Sequence, residues 1–341
     1  MRLIDRIIQC RTPFIVVNNT TGQHTHLSGA MDAAEGLQRC PIRYVLDDDL
    51  TTLCTDLAYS KGATVMSCAD LMRVPAENIW LEWCDQPWAT ALDRNGLSLP
   101  ADNPPSRGRH GMFICASSDG RRGLIRSYWS LGDADADLHA SAAQARFHLD
   151  ADEPECPATD AASMRVFAHA MDPEGVLSRC FHFEFEPTWG KYYQEVAPSQ
   201  LAQQRILHHS IGCVALAIPV LLAFLLLLAT RAGLPQRVAP LERLNKARAR
   251  LGRVPLANHI EVGAPILPEY RALQAEGASG VRRAPRLHHV RGHLVRRNDR
   301  LFWRVPHVRG KSGAGYLKSR TVVWRFDAAQ RRERSSRGST P

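Results

Sequence analysis

Apolar and polar positions along this chain fall into three kinds of pattern: one long uninterrupted apolar run, several short alternating runs, and a closing segment in which basic and aromatic residues interleave. The apolar run, Ile211 to Ala229 (IGCVALAIPVLLAFLLLLA), carries no charged side chain. As one helix it would rise roughly 28 Å, close to the hydrocarbon thickness of a bilayer, and it would equally suit a core helix covered on every side. Ser199 is a candidate N-cap, Arg231, Gly233 and Pro235 are closing signals, and Pro219 predicts a kink.

Before that run, Phe14 to Asn19 predicts a strand, and Asp32 to Leu37, Asp47 to Ser60 and Cys68 to Arg73 predict short helices with a break at Lys61-Gly62. Pro75 to Trp83 alternates, with Trp80 on one face and Ile79 and Leu81 on the other. Residues 111–116 and 124–131 flank the turn Asp119-Gly120 and predict a hairpin. The acidic stretch from Asp133 to Asp160 is expected to be loop with one strand at Ala145 to Leu149. Cys180 to Glu186 alternates, with Phe181, Phe183 and Phe185 sharing a face. After the apolar run, Pro240 to Gly252 predicts an amphipathic helix with Leu241, Leu244 and Leu251 on one side and Arg243, Lys246, Arg250 and Arg253 on the other.

These elements predict an α+β protein: a curved antiparallel sheet covered by a long apolar helix, plus a small basic C-terminal β unit. The expected divisions are a mixed α/β segment over 1–75, the sheet over 76–262 with its core helix at about 200–230 and the basic helix at 240–251, a linker over 263–286, the basic His- and Arg-rich β unit over 287–326, and a disordered tail over 327–341.

Charge sharpens this division. From Arg231 onward 25 Lys and Arg face 7 Asp and Glu, whereas the chain before it holds 18 against 27, so the net +9 conceals an acidic part and a basic arm. A basic arm of this kind suits nucleic acid, a ribosome, an acidic partner or anionic lipid. Were the apolar run to span a membrane, the basic end would lie in the cytoplasm and everything before the run would need export. Met1 to Cys10 has no signal-peptide pattern, and the nine scattered Cys form no C-x-x-C pair. A cytoplasmic location with reduced thiols is the expectation, and a single-pass inner-membrane protein with a basic cytoplasmic tail is the alternative.

Candidate chemistry is thin outside the C-terminal unit. Asp47, Asp48 and Asp49 precede a helix and suit its dipole better than a metal. Glu82, Asp85 and Asp93 are expected to be exposed strand and turn carboxylates, and His182 with Glu184 one solvated polar face. Four histidines, His288, His289, His293 and His307, invite a zinc site, yet the unit has no Cys and few acids, and its arginines would repel a divalent ion. A His-dependent nuclease would use His293 or His307 as base and Arg291 or Arg309 on phosphate. Better supported is binding without catalysis or cofactor. Arg291, His293, Arg296, Arg297, Arg300, Arg304, His307, Arg309 and Lys311 would contact phosphates or a partner protein, with Trp303, Phe302 or Tyr316 stacking on bases.

The order of phrases (N-I-W-L-E-W, S-Y-W-S-L, the apolar helix, L-N-K-A-R-A-R-L-G-R-V-P-L, then H-H-V-R-G-H and F-W-R-V-P-H-V-R-G) resembles a family of phage- and prophage-associated proteobacterial proteins. That family includes a phage anti-CRISPR protein acting against type V-A effectors. The resemblance covers most of the chain from about residue 76. It implies a soluble cytoplasmic protein whose apolar helix is core and whose activity is binding. Its anti-CRISPR member is understood to suppress production of its target by recognising the effector as it is synthesised, and for this chain the expected partner is RNA, a ribosome-associated complex, a nascent polypeptide or a host defence protein.

Overall fold

Strands from both ends of a 265-residue stretch meet in one sheet in the computed structural model of the protein. The structure describes residues 1–10, 14–18, 23–27, 29–97, 108–130, 138–149, 180–196, 199–230, 234–264, 286–290, 293–297, 300–304, 307–309 and 311–317. The chain divides into two compact units, Met1–Pro265 and Ile266–Pro341. The expected tail over 327–341, the part of the expected β unit beyond residue 317 and most of the expected linker lie outside the described residues.

The first unit opens with α1 (Leu3–Gln9), a two-stranded ladder of β1 (Phe14–Asn18) and β2 (Gln23–Leu27), and α2 (Gly29–Arg39). Then come β3 (Ile42–Leu46), α3 (Asp48–Ser60), α4 (Gly62–Met66), a 3-10 turn at Ala69–Leu71, β4 (Asn78–Cys84) and α5 (Asp85–Arg94). Four strands follow: β5 (Arg109–Ala116), β6 (Arg122–Ser130), β7 (Leu138–His148) and β8 (Phe181–Phe185). The unit closes with α6 (Pro187–Val196), α7 (Gln200–Ala215), α8 (Ile218–Leu228), β9 (Gln236–Val238), α9 (Glu242–Arg250) and β10 (Ile260–Val262).

Eight strands form one open sheet in the order β8-β7-β6-β5-β4-β3-β10-β9. From β4 to β8 every pairing is antiparallel, but β3 runs parallel to β4, and β10 parallel to β3. The sheet is therefore mixed, where the sequence predicted an antiparallel one. Parallel neighbours need a crossover, here α3 and α4 between β3 and β4, and β10 arrives from the opposite end of the unit. Local alternation carries no sign of either partner.

The β5–β6 turn needs Gly120, at φ 71°, because a Cβ there would meet the Val74 backbone oxygen at 2.3 Å. The acidic region, expected to be loop apart from a strand at Ala145 to Leu149, contains β7, an eleven-residue interior strand that begins seven residues earlier. Its Ala- and Ser-rich sequence has weak strand propensity, but small residues let α7 come close, and Ser141 Oγ donates to the Ser210 carbonyl at 3.3 Å.

Helices cover both faces where β4 lies. On one face Leu3, Ile4 and Ile7 of α1 and Leu37 of α2 pack with Trp80, Phe113 and Tyr128. On the other, α5 lays Trp88 against Trp83, and Phe224 of α8 meets Tyr44 edge-on. This explains why Ile79 through Trp83 are all buried despite alternating in sequence. Further along the sheet, Trp189 and Tyr193 of α6 pack with Ala142.

The apolar run is not one long helix. It divides at Leu216 and Ala217 into the end of α7 and the eleven-residue α8. Pro219 lies in the first turn of α8, where its missing N–H is no loss. Ile218 through Leu227 are all buried, and α8 packs chiefly along α3 rather than lying across the sheet. Among the described residues no helix is long and apolar enough to cross a membrane.

At one end of the sheet four rings form a ladder across four strands. Trp83 stacks on His110 at 5.0 Å, His110 on Trp129 at 6.2 Å, and Trp129 on His139 at 5.7 Å. Each pair is directly opposite in the strand register, where cross-strand contacts are closest. Burial lowers the His110 pKa to about 3, so the imidazole is neutral in the folded protein at pH values where an unfolded chain protonates it. The unfolded state therefore takes up the extra proton between about pH 6.5 and 3, and stability falls as pH drops through that window. Asp85 acts in the opposite sense, since burial raises its pKa to about 7 and the folded state holds the extra proton above the ordinary carboxylate range.

Two outcomes follow from this packing. A Cβ on Gly111 would come within 2.2 Å of the Trp80 ring, so Gly111→Ala is expected to cost about 1–3 kcal/mol in urea unfolding. An unchanged midpoint would show that the ring has room to move. His110→Phe should flatten the acid limb of the stability profile by about one proton. A variant that keeps the wild-type slope would assign that limb to other groups.

Candidate functional site

The carboxyl ends of the three parallel strands β10, β3 and β4 open into a cleft of about 520 Å³. In mixed and parallel sheets this is where crossovers leave room for a ligand. Leu46, Cys84 and Val262 end the strands, Gln236 and Arg237 of β9 form one side, and Arg2 and Arg109 close another. Asp47 stands at the floor as the N-cap of α3, accepting from the Leu50 amide at 2.7 Å. The acidic triplet thus serves the helix start, as its sequence suggested.

Behind the wall lies Glu82, expected to be an exposed strand carboxylate and found fully buried. The reason is the second layer: α1 covers this face of β4, and α1 has no capping side chain of its own. Glu82 supplies the cap, accepting from the Leu3 amide at 2.8 Å and the Ile4 amide at 3.2 Å. The Trp80 indole donates to it at 3.0 Å, and Arg109 completes the set with an Nε–H bond and an ion pair. Burial alone would raise its pKa, but Arg109 and these donors outweigh burial and hold the carboxyl below its ordinary value. Asp85, at the start of α5, is half-buried with one carboxylate oxygen out of contact with solvent, not exposed as expected, whereas Asp93 is exposed.

Arg109 also reaches Cys84, donating from Nη1 to Sγ at 3.1 Å. Burial nonetheless raises the Cys84 pKa, so the thiol is neutral and unsuited to nucleophilic attack. At the mouth, Glu261 of β10 receives both Arg2 (2.9 Å) and Arg237. Hydrogen bonds from Arg237 and the two positive charges lower the Glu261 pKa. The cleft is thus walled by guanidinium groups already committed to carboxylates. It can accommodate a polar ligand, and among the described residues no group of His, Cys, Asp or Glu could hold a metal ion.

In the second unit the residues singled out in the sequence fall on two ladders. The hairpin of β12 (His293–Arg297) and β13 (Arg300–Arg304) pairs His293 with Arg304, Val295 with Phe302 and Arg297 with Arg300. It follows β11 (Arg286–Val290) and precedes β14 (His307–Arg309) and β15 (Lys311–Leu317), which flank β11 in a separate sheet. Positions 293, 297, 300 and 304 share one face of the hairpin with Val295 and Phe302. The other face has Leu294, Arg296, Leu301 and Trp303. Trp303 is buried, at 7% exposure, while Arg304 is exposed and Phe302 half-buried. His307 and Arg309 pair with Val290 and His288, and Lys311 with Arg286. Arg291 lies outside the described residues.

The fold and these two features define an α+β protein with an arginine-flanked cleft at the carboxyl ends of its parallel strands and a basic β hairpin in a separate unit. Comparison with family models, with characterised proteins and with solved structures finds no match.

The cleft was not visible in the sequence. Arg2, Arg109, Arg237 and Glu261 are spread from one end of the first unit to the other and look like ordinary surface charges. Only Glu82, a carboxylate flanked by Trp80, Leu81 and Trp83 in a strand, carried a local signal. Removing it would leave Arg109 unpaired and two helix amides without an acceptor, so Glu82→Ala is expected to cost about 3–5 kcal/mol. The double variant Glu82→Ala/Arg109→Ala should be less destabilised than the sum of the two single changes. Strict additivity in chemical denaturation would show that the two do not act as a pair.

Proposed function

We propose that this is a nonenzymatic binding protein whose basic C-terminal unit engages RNA, in the setting of a ribosome-associated complex or a nascent chain. The observation that carries the proposal is the register of the β12–β13 hairpin. It gathers His293, Arg297, Arg300 and Arg304 at positions on one face, around the half-buried Phe302, and leaves the buried Trp303 to the other. A face with several cations and one accessible aromatic ring suits a phosphate backbone with stacked bases. Phe302, rather than Trp303, is then the stacking candidate.

The cleft of the first unit supports a binding role as well, since its one thiol is neutral and its guanidinium groups are held in carboxylate pairs. His293 and His307, the two bases a nuclease would use, belong to separate ladders. The resemblance to phage-associated proteins extends the proposal: the RNA or nascent chain would belong to a host immune effector under synthesis, with a type V-A effector the candidate. A cytoplasmic location is part of the same proposal.

Binding of full-length protein to single-stranded RNA across a salt series tests this. The variant Arg297→Ala/Arg300→Ala/Arg304→Ala is expected to bind more weakly. Its dependence of log K on log salt should be shallower by about 2, since each lost phosphate contact removes roughly 0.7. Its thermal midpoint should stay near wild type because these positions are on the face away from Trp303. Unchanged affinity and slope, or a wild-type protein with no affinity for RNA at low salt, would overturn the proposal.

A further inference from the structure

The basic helix α9 presents an unused surface. None of its nine residues is buried, although the sequence predicted that its leucines would pack. Leu244 is 48% exposed and Leu251 just beyond it 69%. A nine-residue helix is marginal in water by itself, so its tethers matter. Asn245 holds it to the following loop through two bonds, donating from Nδ2 to the Leu256 carbonyl at 3.1 Å and accepting from the Leu256 amide at 2.8 Å. Arg248 donates to the Val254 carbonyl at 2.8 Å and to Gln9 Oε1 at 3.3 Å.

At about 100° per residue, Asn245 and Arg248 occupy one side of the helix, and Arg243, Lys246 and Arg250 the side directly opposite. Leu244, Ala247 and Leu251 form a narrow apolar strip along one flank of the basic row. Glu242 is the single acid of the helix. Elsewhere in this unit Arg2, Arg94, Arg109, Arg126, Arg146 and Arg237 each have a carboxylate partner. Among the described residues no carboxylate lies within ion-pair reach of Arg243, Lys246, Arg250 or Arg253, and all four are exposed.

We propose that the outward row Arg243, Lys246 and Arg250, extended by Arg253, is a second phosphate-binding element, docking α9 against the backbone of the RNA that the protein engages. The inference rests on the nucleic-acid reading above and adds a site on the first unit to it. Charge complementarity selects the occupant. Three cations at steps of roughly 4.5 and 6 Å along the helix face outward without acids between them, as a polyanion requires. A membrane surface would demand a broad apolar face with bulky residues, whereas here the apolar strip is narrow, lies to one side and has no aromatic ring.

The test uses the full chain and the variant Arg243→Ala/Lys246→Ala/Arg250→Ala. Alanine is the best helix former and the tethers are untouched, so circular dichroism and the thermal midpoint should match wild type. With single-stranded RNA as probe, the variant's salt slope should be shallower by about 2 and its affinity reduced at low salt. An unchanged slope in this variant, with binding lost in the Arg297/Arg300/Arg304 variant, would overturn the inference while leaving the function standing. Loss of binding to phosphatidylserine vesicles with RNA affinity intact would overturn it in favour of a lipid surface. A wild-type chain without RNA affinity would remove both proposals.

Discussion

A fully buried carboxylate is a severe constraint, and the first unit is built around one. Glu82 is held by the opening amides of α1, by the Trp80 indole and by Arg109 at the start of β5. Without these partners its charge could not remain in a dry interior. Three elements far apart in sequence must therefore arrive together: the first helix, the strand carrying Glu82 and the strand after it. The same guanidinium continues to Cys84 and lines the cleft, so the group that keeps Glu82 paired also shapes this recess.

Cations in the chain perform two kinds of work. Those of the sheet are structural. Besides the ion pairs, Arg43 donates to the Leu37, Gln38 and Asn258 carbonyls, tying the end of α2 to the approach to β10. Arg121 likewise reaches the Asp70 and Leu149 carbonyls from the β5–β6 turn. The outward cations of α9, Arg243, Lys246 and Arg250, contribute little to holding the fold, since they face solvent. Acidic residues outnumber basic ones before the basic arm, and those on the sheet, Glu82, Glu184 and Glu261 among them, neutralise its arginines. In this unit the unpaired positive charge of α9 is left on a helix with no buried residue, which is what an electrostatic docking surface needs.

The apolar run shows how burial can mislead a purely linear description. Its hydropathy matches a bilayer span or a core helix equally well. In the fold, ten consecutive residues of α8 are buried, with α3, α4 and α7 packed against the helix and Tyr44 of β3 meeting Phe224 edge-on. The turn at Leu216 and Ala217 divides what hydropathy joins, and Pro219 then begins a helix instead of kinking one.

Much of the local structure was written in the sequence, for physical reasons that act over a few residues. The helix start at the acidic triplet, the break at Lys61-Gly62, the turn at Gly120 and the alternation of β8 depend on propensity, capping and backbone freedom, and they stand where expected, while α9 is shorter, at Glu242–Arg250, than the span from Pro240 to Gly252. The β12–β13 hairpin falls within the segment read as a basic β unit, because its alternation is local. Tertiary structure alone decided which strands pair, and hence that the sheet is mixed. It also decided that Ala-rich β7 is an interior strand and that Glu82 is buried. The cleft belongs to the same category, because Arg2, Arg109, Arg237 and Glu261 become neighbours only when β10 settles beside β3. Partner choice between strands depends on surfaces far apart along the chain, and periodicity within one segment carries no information about them.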